Sequence, residues 1–222
     1  MIDLTVKTSG GSQTLEVREM PPQIFEWQRQ ARIKNLEAII KDEMFEGFGP
    51  HLPTMSVLNA EGDFPVNSAA KGVGLVPKPE FMESYLAKFN QLIEEAVVEG
   101  WKKSMTTRVQ ALLDFYKKPE HIDRTGLGSL ELYAKRTYAG VRKDPRASLL
   151  FVDLAEGNLS YEMHVIAELH EPGTLIHSFE TAVHDLFHVP QGRKKAYPFA
   201  YLMRIVEIYN KTPGPQASMR II

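Results

Sequence analysis

The sequence predicts an α+β fold in which antiparallel strands joined by short turns form a barrel or sandwich, with helices at its periphery. Two observations carry this expectation. Extended apolar runs at residues 53–58, 64–76, 147–154, 159–169 and 198–210 recur, two pairs of them separated by turn chemistry: Asn59-Ala60-Glu61-Gly62-Asp63 and Ala155-Glu156-Gly157-Asn158. The remaining periodicity is helical, and the long helical block at 78–124 interrupts the strand meander instead of alternating with single strands. Regular alternation would point to a doubly wound parallel sheet; an interrupted meander does not.

Taken in order, residues 2–7 and 14–18 alternate around Ser9-Gly10-Gly11-Ser12 and read as a hairpin. From Gln23 to about Phe45, Ile24, Trp27, Ala31, Ile33, Leu36, Ile39, Ile40 and Met44 recur at spacings of three and four, a helix ended by Gly47, Gly49 and Pro50. The segment 64–76 is a second extended stretch rich in small residues, the kind of strand that lets a ligand or another backbone come close. Phe81 to about Tyr116 is helical, with Gly100 and Thr106-Thr107 as candidate division points; Pro119 and Gly126 close it. Leu130–Tyr133 reads as a short strand, and Lys135–Lys143 as a short basic helix or turn broken by Asp144-Pro145. The strands at 147–154 and 159–169 form a hairpin. A helix runs from Gly173 to His188, and the strand at 198–210 comes last.

The composition narrows the function. The chain has 222 residues, 43% of them hydrophobic, and a formal charge of −2. A core of ordinary size is expected, and no global field favours nucleic acid or an anionic membrane. With no cysteine, disulfides, thiolate nucleophiles and zinc–thiolate sites are excluded together. The start of the chain lacks a basic n-region and an apolar h-region, and no apolar run reaches the ~18–20 residues that span a bilayer, so a cytoplasmic protein is expected. No Gly-x-Gly-x-x-Gly follows a strand; there is no Walker loop, no His-Glu-x-x-His and no Gly-x-Ser-x-Gly elbow.

The stretch Tyr138-Ala139-Gly140-Val141-Arg142-Lys143-Asp144-Pro145-Arg146-Ala147-Ser148-Leu149-Leu150-Phe151-Val152-Asp153 resembles the K-x-R-N-L-R-R-D-P-R-V-S-L-L-x-x-D signature of the pyridoxamine 5′-phosphate oxidase-like, FMN-binding split-barrel family. Ser160 to Leu169 is similar to that family's Y-V-E-V-R-G-R-A-E-L strand, and Thr54 to Ser68 to its opening hairpin. The resemblance covers residues 25–76 and 128–215 in order. It implies a single domain over 1–222: an antiparallel split β-barrel of about six strands with peripheral helices, an N-terminal hairpin and helix (1–50) and a helical insertion (78–124). It also implies an FMN site at a homodimer interface, and a flavin-dependent oxidoreductase acting on a small conjugated substrate. The matching positions for the cofactor are Asn67, Ser68, Ala69 and Lys71 on the second strand, and Lys135, Arg136 and Thr137 near the basic turn. Two family positions differ: the characteristic lysine falls on Thr137, and the arginine of the long strand falls on His164.

Two other readings stay open. Five of the seven histidines lie between His164 and His188. His177, Glu180, His184 and His188 share one face of a helix, a spacing able to bind a metal or haem, or simply a polar helix face. The protein can also be a non-catalytic flavin-binding dimer. The basic run Lys135, Arg136, Arg142, Lys143 and Arg146 is either a phosphate anchor or a solvated face.

Overall fold

The computed structural model describes residues 2–43, 49–154, 156–188 and 196–222. A hairpin of β1 (Ile2–Thr8) and β2 (Gly11–Val17) comes first. Helix α1 (Pro22–Ile40) follows, then β3 (Thr54–Leu58), β4 (Val66–Ala70) and β5 (Gly74–Pro77). Helices α2 (Pro79–Glu99) and α3 (Met105–Tyr116) separate β5 from β6 (Ile122–Glu131). The rest is α4 (Arg136–Lys143), β7 (Arg146–Asp153), β8 (Leu159–His170), α5 (Leu175–His188) and β9 (Phe199–Asn210). The fold is α+β, as the sequence predicts.

The main sheet has seven strands in the order β4-β3-β7-β8-β9-β6-β5, and every neighbouring pair is antiparallel. The connectivity dictates its shape. β4 and β5 are opposite edges, yet only residues 71–73 join them. That link reaches at most about 14 Å, whereas the edges of a flat seven-stranded sheet lie about 29 Å apart. The sheet therefore curls until its edges approach, and it stays open because β4 and β5 are not hydrogen-bonded to each other. An ion pair marks the approach: Lys71 Nζ, just past β4, lies 2.6 Å from Glu131 Oε2 at the end of β6.

Inside the curl, alternate residues make the core: Met55 and Val57 from β3, Leu149 and Phe151 from β7, Met163 and Val165 from β8, and Met203 and Ile205 from β9, all buried. This is the period-2 signature of a half-buried strand. α1 is pinned beside β7, where Trp27 Nε1 donates to Asp153 Oδ2 at 2.9 Å and its ring meets Phe151 and Tyr161 edge-on.

Several expectations are corrected. The stretch 64–76 is two strands on opposite edges, not one; Lys71, Gly72 and Val73 carry the chain across. Residues 122–129 are not the close of a helical block but most of β6, and the Leu130–Tyr133 strand ends at Glu131. Gly126, expected to close the helical block, is a strand glycine like its neighbour Gly128, and other groups press against both. A Cβ on Gly128 would lie 2.7 Å from Val76 Cγ1 and overlap the Glu180 carboxyl. The sheet has seven strands, not about six. Finally, α1 ends at Ile40, with Lys41 capping it, rather than near Phe45; residues 44–48 lie outside the described residues.

The basic run across α4 is also partly committed to structure. Asp144, 3% exposed, accepts from Ser9 N at 3.0 Å, Ser9 Oγ at 2.8 Å and Arg146 Nη2 at 2.6 Å. It ties the turn of the N-terminal hairpin to the start of β7. Burial resists ionisation, but the bonds from Arg146 and Ser9 prevail and hold the carboxyl well below the usual range. A depressed carboxyl contributes stability above its ordinary value of ~3.9 and loses it as pH falls through the folded value. Asp144→Asn is expected to cost about 2 kcal/mol at pH 7. Urea unfolding should show the difference from wild type shrinking below about pH 3; a constant difference down to acid pH would exclude the charge as the cause.

Candidate functional site

The corner where β4 meets α4 gathers most of the cations and hydroxyls that the sequence singles out. It is built by a close approach. Gly140 of α4 sits against Leu58 O and Val57 Cγ2 of β3, where any side chain would collide with a strand carbonyl. The helix therefore lies directly on the β3–β4 pair and carries its first turn to the sheet edge. Asn67 pairs across from Val57, and Ala69 from Met55, so both face the side that α4 covers. Asn67 Nδ2 donates to Thr137 Oγ1 at 3.2 Å. Thr137 is buried, while Lys135 and Arg136 just before it are exposed. Arg136 Nη2 lies 3.5 Å from Asn59 Oδ1, and Lys135 Nζ lies 5.8 Å from the Tyr133 ring. Neither cation is in an ion pair with a carboxylate among the described residues.

The chain enters α4 through Ala134, whose φ is +48°. Left-handed backbone costs a non-glycine residue roughly 1 kcal/mol. It is held by one buried carboxylate. Glu131 Oε1 accepts from Tyr133 N at 3.0 Å and Ala134 N at 3.1 Å, while Oε2 accepts from Lys71 Nζ and Tyr201 Oη, each at 2.6 Å. Burial alone would push Glu131 up, but the bonds from Lys71 and Tyr201 outweigh it and hold the carboxyl below its ordinary value. Burial, then the bond to Glu131, pushes the Tyr201 hydroxyl up, so it stays a donor. The sequence singles out neither Glu131 nor Tyr201; the one local signal is a carboxylate inside the apolar run Leu130-Glu131-Leu132-Tyr133.

The seven sequence-derived positions thus divide. Asn67, Ala69, Lys135, Arg136 and Thr137 surround the α4 entrance. Lys71 reaches the same corner but is neutralised by Glu131, so it braces the turn and is not a free cation. Ser68 points to the other face of the sheet, where its Oγ meets Ser56 Oγ at 2.8 Å. α4 has no side-chain cap on its first turn. Uncapped N–H groups, the positive end of the helix dipole and two exposed cations together suit an oxyanion.

Beneath the N-terminal hairpin, the opposite face of the sheet forms a cleft of about 490 Å³. Leu15, Leu58, Val66, Ile166 and Val206 give it an apolar floor, and His164 sits at its polar side. His164 Nδ1 lies 2.9 Å from Glu207 Oε2 and Nε2 lies 3.5 Å from Glu162 Oε1, so the imidazole bridges two carboxylates.

The α5 histidines do not converge. His177 Nε2 donates to Tyr197 O at 3.0 Å and is buried. His184 Nδ1 meets Tyr197 Oη at 2.9 Å, and the His184 and His188 rings are 4.9 Å apart. Burial, then His184, lowers the His188 pKa, while Asp185 raises it. Glu180 is buried against Gly128. Among the described residues, no group of three or more His, Asp or Glu side chains is placed to hold a metal ion. The shared helix face exists, but His177 and His184 are taken up by the carbonyl and the hydroxyl of Tyr197, and among the described residues the three histidines form no metal-holding group, which corrects the reading of His177, His184 and His188 as a metal-ligand set.

No protein-family model matches the sequence, and a comparison with curated proteins finds no match. Solved structures do align. HupZ of Group A Streptococcus aligns at 13% identity over 83% of this chain and 97% of its own, with a TM-score of 0.42. An F420 reductase aligns at 10% identity over 72% and 90%, with a TM-score of 0.41. An FMN-binding protein from Syntrophomonas wolfei aligns at 9% identity over 84% and 90%, with a TM-score of 0.41. Among the described residues, no helix is long and apolar enough to cross a membrane.

Proposed function

We propose that the protein binds flavin mononucleotide by its phosphate at the β4–α4 corner and acts as an FMN-dependent oxidoreductase on a small conjugated substrate. The carrying observation is the uncapped first turn of α4, flanked by Lys135 and Arg136 with no carboxylate paired to either among the described residues. A dianion is the ligand that such a corner suits best, because charge-assisted hydrogen bonds are the strong ones. Lys135, Arg136 and Thr137 would hold the phosphate. Asn67 and Ala69 would line the path of the cofactor along the strand, and Glu131 fixes the turn that presents the cations. When bound, the flavin supplies the hydride-accepting ring, so no side chain has to act as acid or base for that step.

In this reading the open, curled sheet is a split barrel and a second copy of the chain completes the site. Val66 on β4 and Leu150 and Val152 on β7, on the sheet face away from α4, leave apolar side chains 40–53% exposed as a surface for that copy to cover. The reading places the protein in the cytoplasm.

The visible spectrum of the purified protein, before and after FMN titration, tests the reading. Bands near ~370 and ~450 nm that co-elute with the protein are expected. Arg136→Ala should weaken FMN binding about 10-fold or more, the worth of one charge-assisted contact. Equal affinity in that variant would remove Arg136 from the anchor. Oxidation of a reduced nicotinamide by the FMN-loaded protein with a quinone or nitro acceptor separates an enzyme from a flavin carrier.

A further inference from the structure

A second polar pocket lies between α1, the chain after its end and the start of β5, away from the proposed phosphate corner. It is a cavity of about 10 Å³ whose walls include Gln28, Arg32, Pro50, His51, Leu75 and Tyr116. That is room for about one water-sized body. Gln28 and Arg32 are four apart on α1 and so share one face. Gln28 is 5% exposed, and its Nε2 has no hydrogen-bond partner. Arg32 Nε is also buried and without a partner.

These two orphans are both donors. Tyr116 and His51, in the same wall, are each engaged at one atom. Tyr116 Oη accepts from Leu75 N at 3.1 Å, and His51 Nδ1 is bonded to Val73 O. No Asp or Glu lines the cavity among the described residues, so the guanidinium has no counter-charge there. Its flat face meets the Phe187 ring 5.5 Å away, which adds cation–π attraction but no acceptor. Burial, then the neighbouring Arg32 charge, holds His51 neutral with a pKa down to about 3.

A buried donor without a partner is costly, and two in one cavity point to an occupant that only accepts. A water can accept from both donors, but it brings no charge to offset the Arg32 guanidinium. A single-atom anion accepts from every side and neutralises Arg32. We propose that the cavity between Gln28 and Arg32 is a binding site for a halide-sized anion, chloride in the cell, that ties α1 to the start of β5.

The test is melting of the full-length protein in sodium chloride or sodium bromide against sodium gluconate at matched ionic strength. A rise of about 3–5 °C per tenfold increase in halide above the dissociation constant is expected, and Gln28→Leu and Arg32→Gln should each abolish it. Should those variants fail to fold, wild-type crystals grown in bromide give an independent reading. The expected result is an anomalous peak within hydrogen-bond distance of Gln28 Nε2 and Arg32 Nε. A water in the cavity at high bromide would overturn the proposal. So would a bromide peak with no halide-specific change in melting, which would mark an adventitious ion only.

Discussion

Gly140→Ala is expected to dislodge α4 and, with it, to weaken the FMN binding proposed for the corner. The methyl would sit within van der Waals overlap of Leu58 O and 2.7 Å from Val57 Cγ2. The first obstacle is backbone in β3, which is paired on both sides by β4 and β7, so it cannot yield as a flexible side chain would. The helix must move instead. Overpacking of this kind costs typically 1–3 kcal/mol and more where backbone is the obstacle, so a loss of about 4 kcal/mol is expected. The displacement would carry Lys135, Arg136 and Thr137 away from Asn67. Chemical denaturation should show the stability loss, and FMN titration of the residual folded protein should show weakened binding. A folded, fully stable Gly140→Ala protein that binds FMN normally would mean that α4 does not lie on β3.

Glu180→Gln is expected to stabilise the protein, and by more as pH rises. Burial alone pushes the Glu180 carboxyl up to about 8. Its neighbours explain why nothing offsets this: α5 presses it against Gly128 and Val76 of β6 and β5, where there is no room for solvent. In the unfolded chain the group ionises near ~4.3. Between that value and about 8 the folded state therefore holds one proton more than the unfolded state, and each rise in pH costs stability. The penalty is complete above the folded value, with a ceiling on the order of 4–5 kcal/mol. The substituted amide has no such ionisation, so the variant escapes the penalty. Urea midpoints at about pH 5 and about pH 9 should show a small gain at the lower pH and a large one at the higher. An equal gain at both would show that Glu180 is ionised in the folded protein.

Much of the architecture follows from local sequence chemistry. Asn59 to Asp63 turns where its composition says, and the apolar run Ala147 to Asp153 is a strand with period-2 burial. The sequence hides what is decided at long range. Residues 64–76 read as one extended run because nothing local tells a strand that it must leave one sheet edge and join the other. Only the pairing of β4 with β3 and of β5 with β6 settles that. β6 is hidden because Gly126 and Gly128 carry turn statistics, yet they are small so that Leu202 and Glu180 can press on them.

The candidate site shows the same division. Lys135, Arg136, Thr137 and Asn67 are identifiable as cations and hydrogen-bonding groups next to a basic turn, and the fold does gather them. Lys71 looks equivalent in the sequence, but its partner Glu131 lies 60 residues away, and no local pattern reveals a neutralising contact of that kind. The α5 histidines illustrate the converse. Helical spacing puts His177 and His184 on one face, but it carries no information about Tyr197, whose carbonyl and hydroxyl take one imidazole each.

The most direct test of a phosphate anchor at the α4 entrance is the affinity for FMN compared with riboflavin, which shares the ring and ribityl chain but lacks the phosphate. In the wild-type protein FMN is expected to bind about 100-fold more tightly or better, the worth of two charge-assisted contacts. The ratio should collapse toward unity in the Lys135→Ala/Arg136→Ala double variant. Equal affinity for the two flavins in the wild type, or no binding of either, would contradict the placement of a flavin phosphate at this corner.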